Sequence, residues 1–457
     1  MTEHRAYRTP FVLGKPIKNP ADFYGRKAVL REAFAAAVAG QRVSIVGEHR
    51  CGNTSIIYQM MDADVRAEHL APAEEAALCF AFVSSQLASD GPEALLRRIG
   101  RALRRADPDA SVDFNAETID RQWLVDYLED LADRDRRLVL LMDEFEVLAG
   151  FEPSFWEWFE VLVNEYDIAI IATSRFDLSE YRTEKGDGPP FFNTIRSIYI
   201  GSFSPATVDF FLADKTELTD FDFMKVKDVI GELAGRFPFY MQVASALFYF
   251  HAGGESHVTP EQIETIRREF ATQTGALFDD AWPKLPESER IALTWLAIGA
   301  DPADALGIDF DKALRSLERR GYVVDGRIFS SAFTDYIRRQ LRRIELNAET
   351  GRVRAGRRLV DLPPKERALL AYLIDHRGLI VSRDDIAEAV WPEYDKEPMG
   401  VSDAMIEKTI SRLRKELEAA GGDFEPLESI RGQGYRFQNP AMSEAPTASD
   451  AAEGLDA

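Results

Sequence analysis

The chain has only two cysteines, Cys51 and Cys79, in 457 residues. That count excludes a disulfide framework and fits a reducing compartment. Long apolar runs are also missing. The first thirty residues contain none that could act as a signal peptide. No later run approaches the roughly 20 residues needed to span a bilayer. These absences predict a cytoplasmic protein with no membrane partner. Positive charge is scarce, with 55 Lys and Arg against 77 Asp and Glu and a net charge of −22. This balance argues against non-specific adhesion to nucleic acid. What matters for a specific contact is the local field. Residues 352–440 carry basic and acidic side chains about equally often, so any contact with a polyanion is confined to that end. No internal repeat occurs, which excludes a solenoid or propeller array.

A hydrophobic content of 46% with 11% aromatics is that of a globular protein. The length predicts about three domains. Residues 1–22 form a polar, proline-containing lead. From residue 23 to 202, short apolar runs at 43–46, 78–83, 138–142 and 168–172 alternate with helical patterns. Continuous apolar runs are strands buried on both faces, and alternation with helices predicts a parallel α/β sheet. Residues 203–345 lack such runs and read as helices. A helix over Phe310–Arg320 followed by a short hairpin pattern suggests a small winged helix closing that block. Residues 352–438 form a terminal domain. Residues 441–457, rich in Ala, Ser, Pro and acid, are expected to be disordered. The predicted fold class is thus multidomain α/β plus α.

The apolar run at 43–46 leads into Gly47-Glu48-His49-Arg50-Cys51-Gly52-Asn53-Thr54-Ser55 and then a helical stretch. This is the strand–loop–helix layout that turns backbone N–H groups and a helix N-terminus toward phosphate. The Walker A pattern requires Lys after the second Gly, where this chain has Asn53. Thr54 still stands where a hydroxyl would hold Mg²⁺. By itself, such a loop is most often an ordinary glycine-bearing turn. Further residues point to a nucleotide site. The run 138–142 delivers Asp143 and Glu144, in the Walker B arrangement of a metal-directed Asp and a water-activating Glu. The run 168–172 ends at Thr173-Ser174-Arg175. Upstream lies Phe23-Tyr24-Gly25-Arg26, and downstream Gly235-Arg236-Phe237-Pro238.

In this order and spacing, residues 10–250 resemble the AAA-like ATPase module shared by STAND ATPases and origin-recognition ATPases. The resemblance implies a P-loop domain with a helical lid that binds ATP or ADP with Mg. It places Phe23, Gly25 and Arg26 near the base, with Pro238 approaching from the lid. Gly47, Gly52, Asn53, Thr54 and Ser55 would line the phosphates. Asp143 and Thr54 would hold the metal, Glu144 would be the catalytic residue, and Arg175 would approach the phosphate end. Loss of the Lys ammonium would weaken binding about ten- to hundredfold. It would impair hydrolysis more, because charge develops on the phosphates in the transition state. The expectation is a pseudo-ATPase, with Arg50 or Arg175 as candidate substitute cations. The basic run 338–343 reads as a solvated helix face rather than a second DNA contact.

In the terminal block, Leu369, Leu370 and Leu373 fall at helical spacing. Ser382 is a plausible N-cap for a second helix running through Ile386 and Trp391. In a third helix from Asp403 to about residue 419, Ile406, Ile410, Leu413 and Leu417 share one face and leave Lys408, Arg412 and Lys415 opposite. A hairpin with Gly432 and Gly434 follows. The ordered motifs Leu362-Pro363-Pro364-Lys365-Glu366, Val381-Ser382-Arg383-Asp384-Asp385-Ile386, Ile410-Ser411-Arg412-Leu413-Arg414-Lys415-Glu416-Leu417 and Arg431-Gly432-Gln433-Gly434-Tyr435-Arg436-Phe437 resemble the OmpR/PhoB-type winged helix. That resemblance implies a third helix in the major groove of double-stranded DNA and a wing on the backbone. Its candidate contacts are Lys408, Thr409, Arg412, Arg414, Lys415, Arg431, Gly434, Tyr435 and Arg436. The helix opens with Ser402-Asp403-Ala404-Met405, which offers few base-reading donors.

The combined expectation is a sequence-specific transcriptional regulator whose ATPase-like module senses nucleotide or a partner, with RNA polymerase and a second copy of the chain as candidate partners. Three alternatives stay open. One is an active STAND-type ATPase driving assembly on DNA, another an origin-binding or DNA-remodelling ATPase, and the third an inactive interaction scaffold.

Overall fold

The structure is a computed structural model that describes residues 9–114, 119–183, 186–299, 309–340, 344–346, 352–355, 358–376, 379–392, 401–421 and 427–437. The expectation of a disordered tail at 441–457 lies outside the described residues. The chain divides into two units, the first built from residues up to 270 together with 314–330, the second from 271–313 and from 331 onward.

The first unit is organised around five parallel strands, β1 (Arg42–Val46), β2 (Leu78–Ser84), β3 (Arg137–Asp143), β4 (Ala169–Ser174) and β5 (Arg196–Tyr199), in the order β2-β3-β4-β1-β5. The four apolar runs are the four strands from β2 across to β1. Apart from half-buried Phe82, the residues of these runs are buried on both faces, Ser44 included, whose Oγ lies 2.8 Å from that of Ser174. The edge strand β5 is exposed at both ends and buries only Ile198. It therefore carries no continuous apolar run, and the sequence pattern did not reveal it. Helices cover the sheet by burying one stripe each. Pro153–Glu165 buries Phe155, Trp156, Phe159, Leu162 and Val163, a helical repeat that packs with Phe145, Phe191 and Phe192.

The lid follows as helices Pro205–Leu218, Lys227–Ala234 and Pro238–Ala252. Gly235 separates the last two at φ +58°, and a Cβ there would meet the Phe329 carbonyl oxygen at 2.3 Å. Only glycine tolerates both demands. The expected helix Phe310–Arg320 and its hairpin, Val323–Val324 with Arg327–Ile328, are present.

In the second unit, helices Pro364–Asp375, Arg383–Val390 and Asp403–Gly421 pack around Leu369, Leu370, Leu373, Ile386, Trp391, Ile410 and Leu413. The Ser382 hydroxyl accepts from Asp385 N at 3.1 Å, the cap expected from sequence. A sheet of Ile380–Val381, Gly434–Phe437 and Leu427–Ile430 forms the wing. A second antiparallel sheet joins Ile344–Leu346, Val353–Ala355 and Arg358–Val360. Its first strand lies upstream of residue 352, and Ile344 is buried in the winged-helix core. Among the described residues, no helix is long and apolar enough to cross a membrane.

Candidate functional site

Parallel topology brings the C-terminal ends of β1, β3 and β4 together, which is where open α/β sheets bind ligands. After β1 the chain turns through Arg50 at φ +66° and Gly52 at φ +102°, then enters helix Asn53–Met61. The Thr54 hydroxyl donates to Asp143 Oδ2 at 2.9 Å. The Thr173 hydroxyl donates to Asp143 Oδ1 at 2.6 Å and accepts from Glu144 N at 3.0 Å. The residues expected to hold Mg²⁺ are therefore adjacent, a hydroxyl and a carboxylate of the oxygen-donor type this ion prefers. Burial, with Asp143 next, pushes the Glu144 carboxyl above its ordinary range. Burial does the same to Glu146. Arg175 lies 4.0 Å from Glu144 and 3.8 Å from Glu146.

Asn53 does not point a charge at the loop. Its Nδ2 donates to Gly47 O at 2.6 Å and to Ser174 O at 3.4 Å, which ties the loop's entry to the end of β4. Arg26 bonds the carbonyl oxygens of Cys51 (3.3 Å) and Gly201. Burial lowers its pKa. It braces the loop through backbone contacts.

A cavity of about 320 Å³ opens at this end of the sheet. Gly52, Asn53, Thr54, Ser55, Asp143, Glu144, Arg175 and Pro238 line it, all expected from sequence. Phe23, Gly25, Arg26 and Gly47 are not among its lining residues. Gly25 packs instead against Thr207, where a Cβ would come within 2.8 Å of the threonine methyl. The lining also includes Phe239, next to Pro238 in the lid motif, and Lys15, Glu146 and Gln242, which no motif singles out.

On the winged helix, Lys408, Arg412 and Lys415 are exposed, while Ile406, Ile410, Leu413 and Leu417 are buried beneath them. Arg431 is exposed at the turn of the wing. Several other expected contacts are also held by partners within the domain. Thr409 is buried, and its hydroxyl donates to Met405 O at 2.9 Å. Tyr435 is 5% exposed and belongs to the core, because inward positions of the wing strand alternate with outward ones. Arg414 bonds Leu427 O at 2.8 Å and Ser429 Oγ at 3.1 Å, fastening the wing to the helix. Arg436 pairs with Glu428 at 2.6 Å. Gly434 is there for close approach, since a Cβ would stand 2.0 Å from Val381 O. A hollow between helix and wing adds Arg383 and Ser411 to the candidate surface.

Comparison with known proteins finds two families on this chain. Residues 37–292 match the family model described as Novel STAND NTPase 2. Residues 356–437 match the model described as Transcriptional regulatory protein, C terminal. The two-component response regulator PhoP of Pseudomonas aeruginosa is 37% identical over 78 residues, covering 17% of this chain and 32% of that protein. The phosphate regulon transcriptional regulatory protein PhoB of Shigella flexneri is 34% identical over 94 residues, 21% of this chain and 39% of that protein. The chain thus spans about a third of the curated relatives it matches. A Walker-type ATPase of Pyrococcus abyssi aligns with a TM-score of 0.49 at 13% identity, covering 72% of this chain and 100% of that one. The model matched by 37–292 takes in more than half of the sequence, and the chain belongs to the novel STAND NTPase 2 family, with an OmpR/PhoB-type winged helix at its C-terminal end.

Proposed function

We propose that this protein is a DNA-binding transcriptional regulator whose STAND module senses ATP or ADP with Mg²⁺, or a partner protein, and turns nucleotide over slowly. The observation that carries the reading is the exposed row Lys408, Arg412 and Lys415 on a helix whose opposite face is locked into the winged-helix core. Such a row neutralises phosphates without needing basic charge elsewhere in an acidic chain. Slow turnover is supported by Asn53, whose neutral amide nitrogen is bonded to two backbone carbonyls at the position of the Walker Lys. RNA polymerase and a second copy of the chain are the natural partners of a regulator of this type.

Genome-wide DNA occupancy of the full chain, compared with a chain lacking residues 344–437, tests the DNA-binding reading. Discrete promoter sites that vanish with the deletion are expected. Unchanged occupancy overturns the reading, and enrichment at origins supports the remodelling alternative. The intact Thr54–Asp143 pair with Glu144 beside it favours an active ATPase as the second reading. Steady-state turnover typical of competent P-loop enzymes, abolished by Asp143→Asn, would select it.

A further inference from the structure

The nucleotide cavity lacks the lysine of its own loop, yet it contains four carboxylates, from Glu48, Asp143, Glu144 and Glu146. A polyphosphate entering it needs a cation from somewhere in the chain. Two basic candidates are already engaged. The Arg50 guanidinium lies 4.3 Å over the Phe239 ring. Arg175 stands between Glu144 and Glu146.

The segment 11–17 offers another. Phe11 is 3% exposed and packs on Phe223 and Tyr249, with centroids 5.6 and 6.1 Å away. At the other end, Ile17 N donates to Ser55 Oγ at 3.0 Å, and Gln59 Nε2 donates to Ile17 O at 3.0 Å. Ser55 and Gln59 are buried residues of the helix that begins at Asn53. The segment is therefore a strap fixed at both ends and fastened to the phosphate-loop helix itself. Between its anchors, Val12, Gly14, Lys15 and Pro16 line the cavity. The Lys15 side chain is exposed, and among the described residues no ion pair or hydrogen bond holds its ammonium.

A second observation points to a ligand in the same cavity. Gln242, on lid helix Pro238–Ala252, is 5% exposed, and among the described residues its Oε1 has no hydrogen-bond partner. A buried acceptor left open is costly unless a donor reaches it. A nucleoside supplies such donors from its base amine or ribose hydroxyls, at the opposite end from its phosphates.

We propose that Lys15, carried on the anchored strap, is the phosphate-neutralising cation of this site and replaces the ammonium that Asn53 lacks, so that the ligand is a nucleoside polyphosphate. The proposal rests on the nucleotide-sensing reading above. Because the strap is tied to Ser55 and Gln59, a ligand that draws in Lys15 also fixes the N-terminal segment against the loop.

The test is calorimetric binding of ATP·Mg²⁺ and of AMP to the full chain, to Lys15→Ala, to Lys15→Arg and to Lys15→Ala combined with Asn53→Lys. Loss of a charge-assisted contact predicts about ten- to hundredfold weaker ATP binding by Lys15→Ala. Lys15→Arg should keep most of the affinity, and Asn53→Lys in the Ala background should restore it. The loss should be smaller for AMP, which lacks the distal phosphates. ATP binding by the parent with no loss in Lys15→Ala overturns the role of Lys15 alone. No ATP binding by the parent overturns the nucleotide reading and this proposal together. An exposed side chain contributes little to folding, so unchanged thermal unfolding of Lys15→Ala is expected alongside.

Discussion

The buried carboxylates of the STAND unit and the exposed lysines of the winged helix are placed in opposite ways. In the first, carboxylates are met by cations or hydroxyls inside the fold. Glu48 meets Arg320 and Tyr322, Asp143 accepts from two threonines, and Asp107 is gripped by Arg134, Arg136 and Tyr127. In the second, Lys408 and Lys415 point into solvent, and the exposed Arg412 lies 3.7 Å from the carboxylate of buried Glu366. The difference shows where each region's polar residues act. Inward pairs hold strands and loops in register, and their removal leaves uncompensated charge in the interior. An outward row adds little to folding and is available to a polyanion. The phosphate loop lies at the meeting of these regimes, because Asn53 has turned a position that would serve a ligand into an internal brace.

This contrast is most open to attack at Asp107. Its carboxylate is bonded to Arg134 at 2.6 Å and Arg136 at 2.9 Å, with a side chain 3% exposed. Asp107→Ala should cost about 3 kcal/mol, because Arg134, Arg136 and buried Tyr127 lose a shared acceptor while both guanidiniums keep partial access to water. The hydrogen bond from Arg134, against an opposing burial effect, holds the Asp107 carboxyl below its ordinary range. A depressed carboxylate contributes stability that is complete above its unfolded value, near pH 4, and that drains away as pH falls through the folded value. Urea unfolding at neutral pH and at successively lower pH measures both effects. A loss below about 1 kcal/mol would mean that the inward pairs are not what hold this unit.

A smaller loss is expected at Asp143. Replacing it with Ala strands the Thr54 and Thr173 hydroxyls and should cost about 2–3 kcal/mol. Hydrogen exchange resolved by peptide should show the loosening in β1, β3 and β4 and leave residues 403–421 unchanged. Loosening in both regions would break the comparison, since it would make the two units one cooperative block.

Gly434→Ala probes the winged helix from within. Its φ is +135°, and the added Cβ would collide with Val381 O. The strain should cost about 1–3 kcal/mol, with faster exchange in Ile380–Val381 and Leu427–Ile430. The smallest stability effect is expected where the functional effect is clearest. Lys408→Ala with Lys415→Ala should change unfolding by less than about 0.5 kcal/mol. The same pair should lower the slope of log affinity against log salt by about 2, one unit per phosphate contact. An unchanged slope would remove these lysines from the DNA face.

Much of both regions is legible from residue order because short-range rules suffice. Four apolar runs become four parallel strands, since a strand covered on both faces has no polar side to alternate. The spacing of Ile406, Ile410, Leu413 and Leu417 dictates which face is buried, and so leaves Lys408, Arg412 and Lys415 outside. Edge strand β5 escaped because it is half exposed. The strand Ile344–Leu346 escaped because a three-residue segment has no pattern until its partner Val353–Ala355 is known. Thr409 and Tyr435 lie beside true surface residues in sequence, and only burial separates them.

By itself, the sequence determined the two families of architecture, the missing Walker Lys and the basic helix face, because each depends on residue type and local period. The tertiary structure alone decided what the residues around the missing Lys do. Asn53 reaches Ser174, 121 positions away, and Ile17 reaches Ser55, 38 positions away. Contacts of that span depend on how strands and strap are brought together, and no local spacing encodes them.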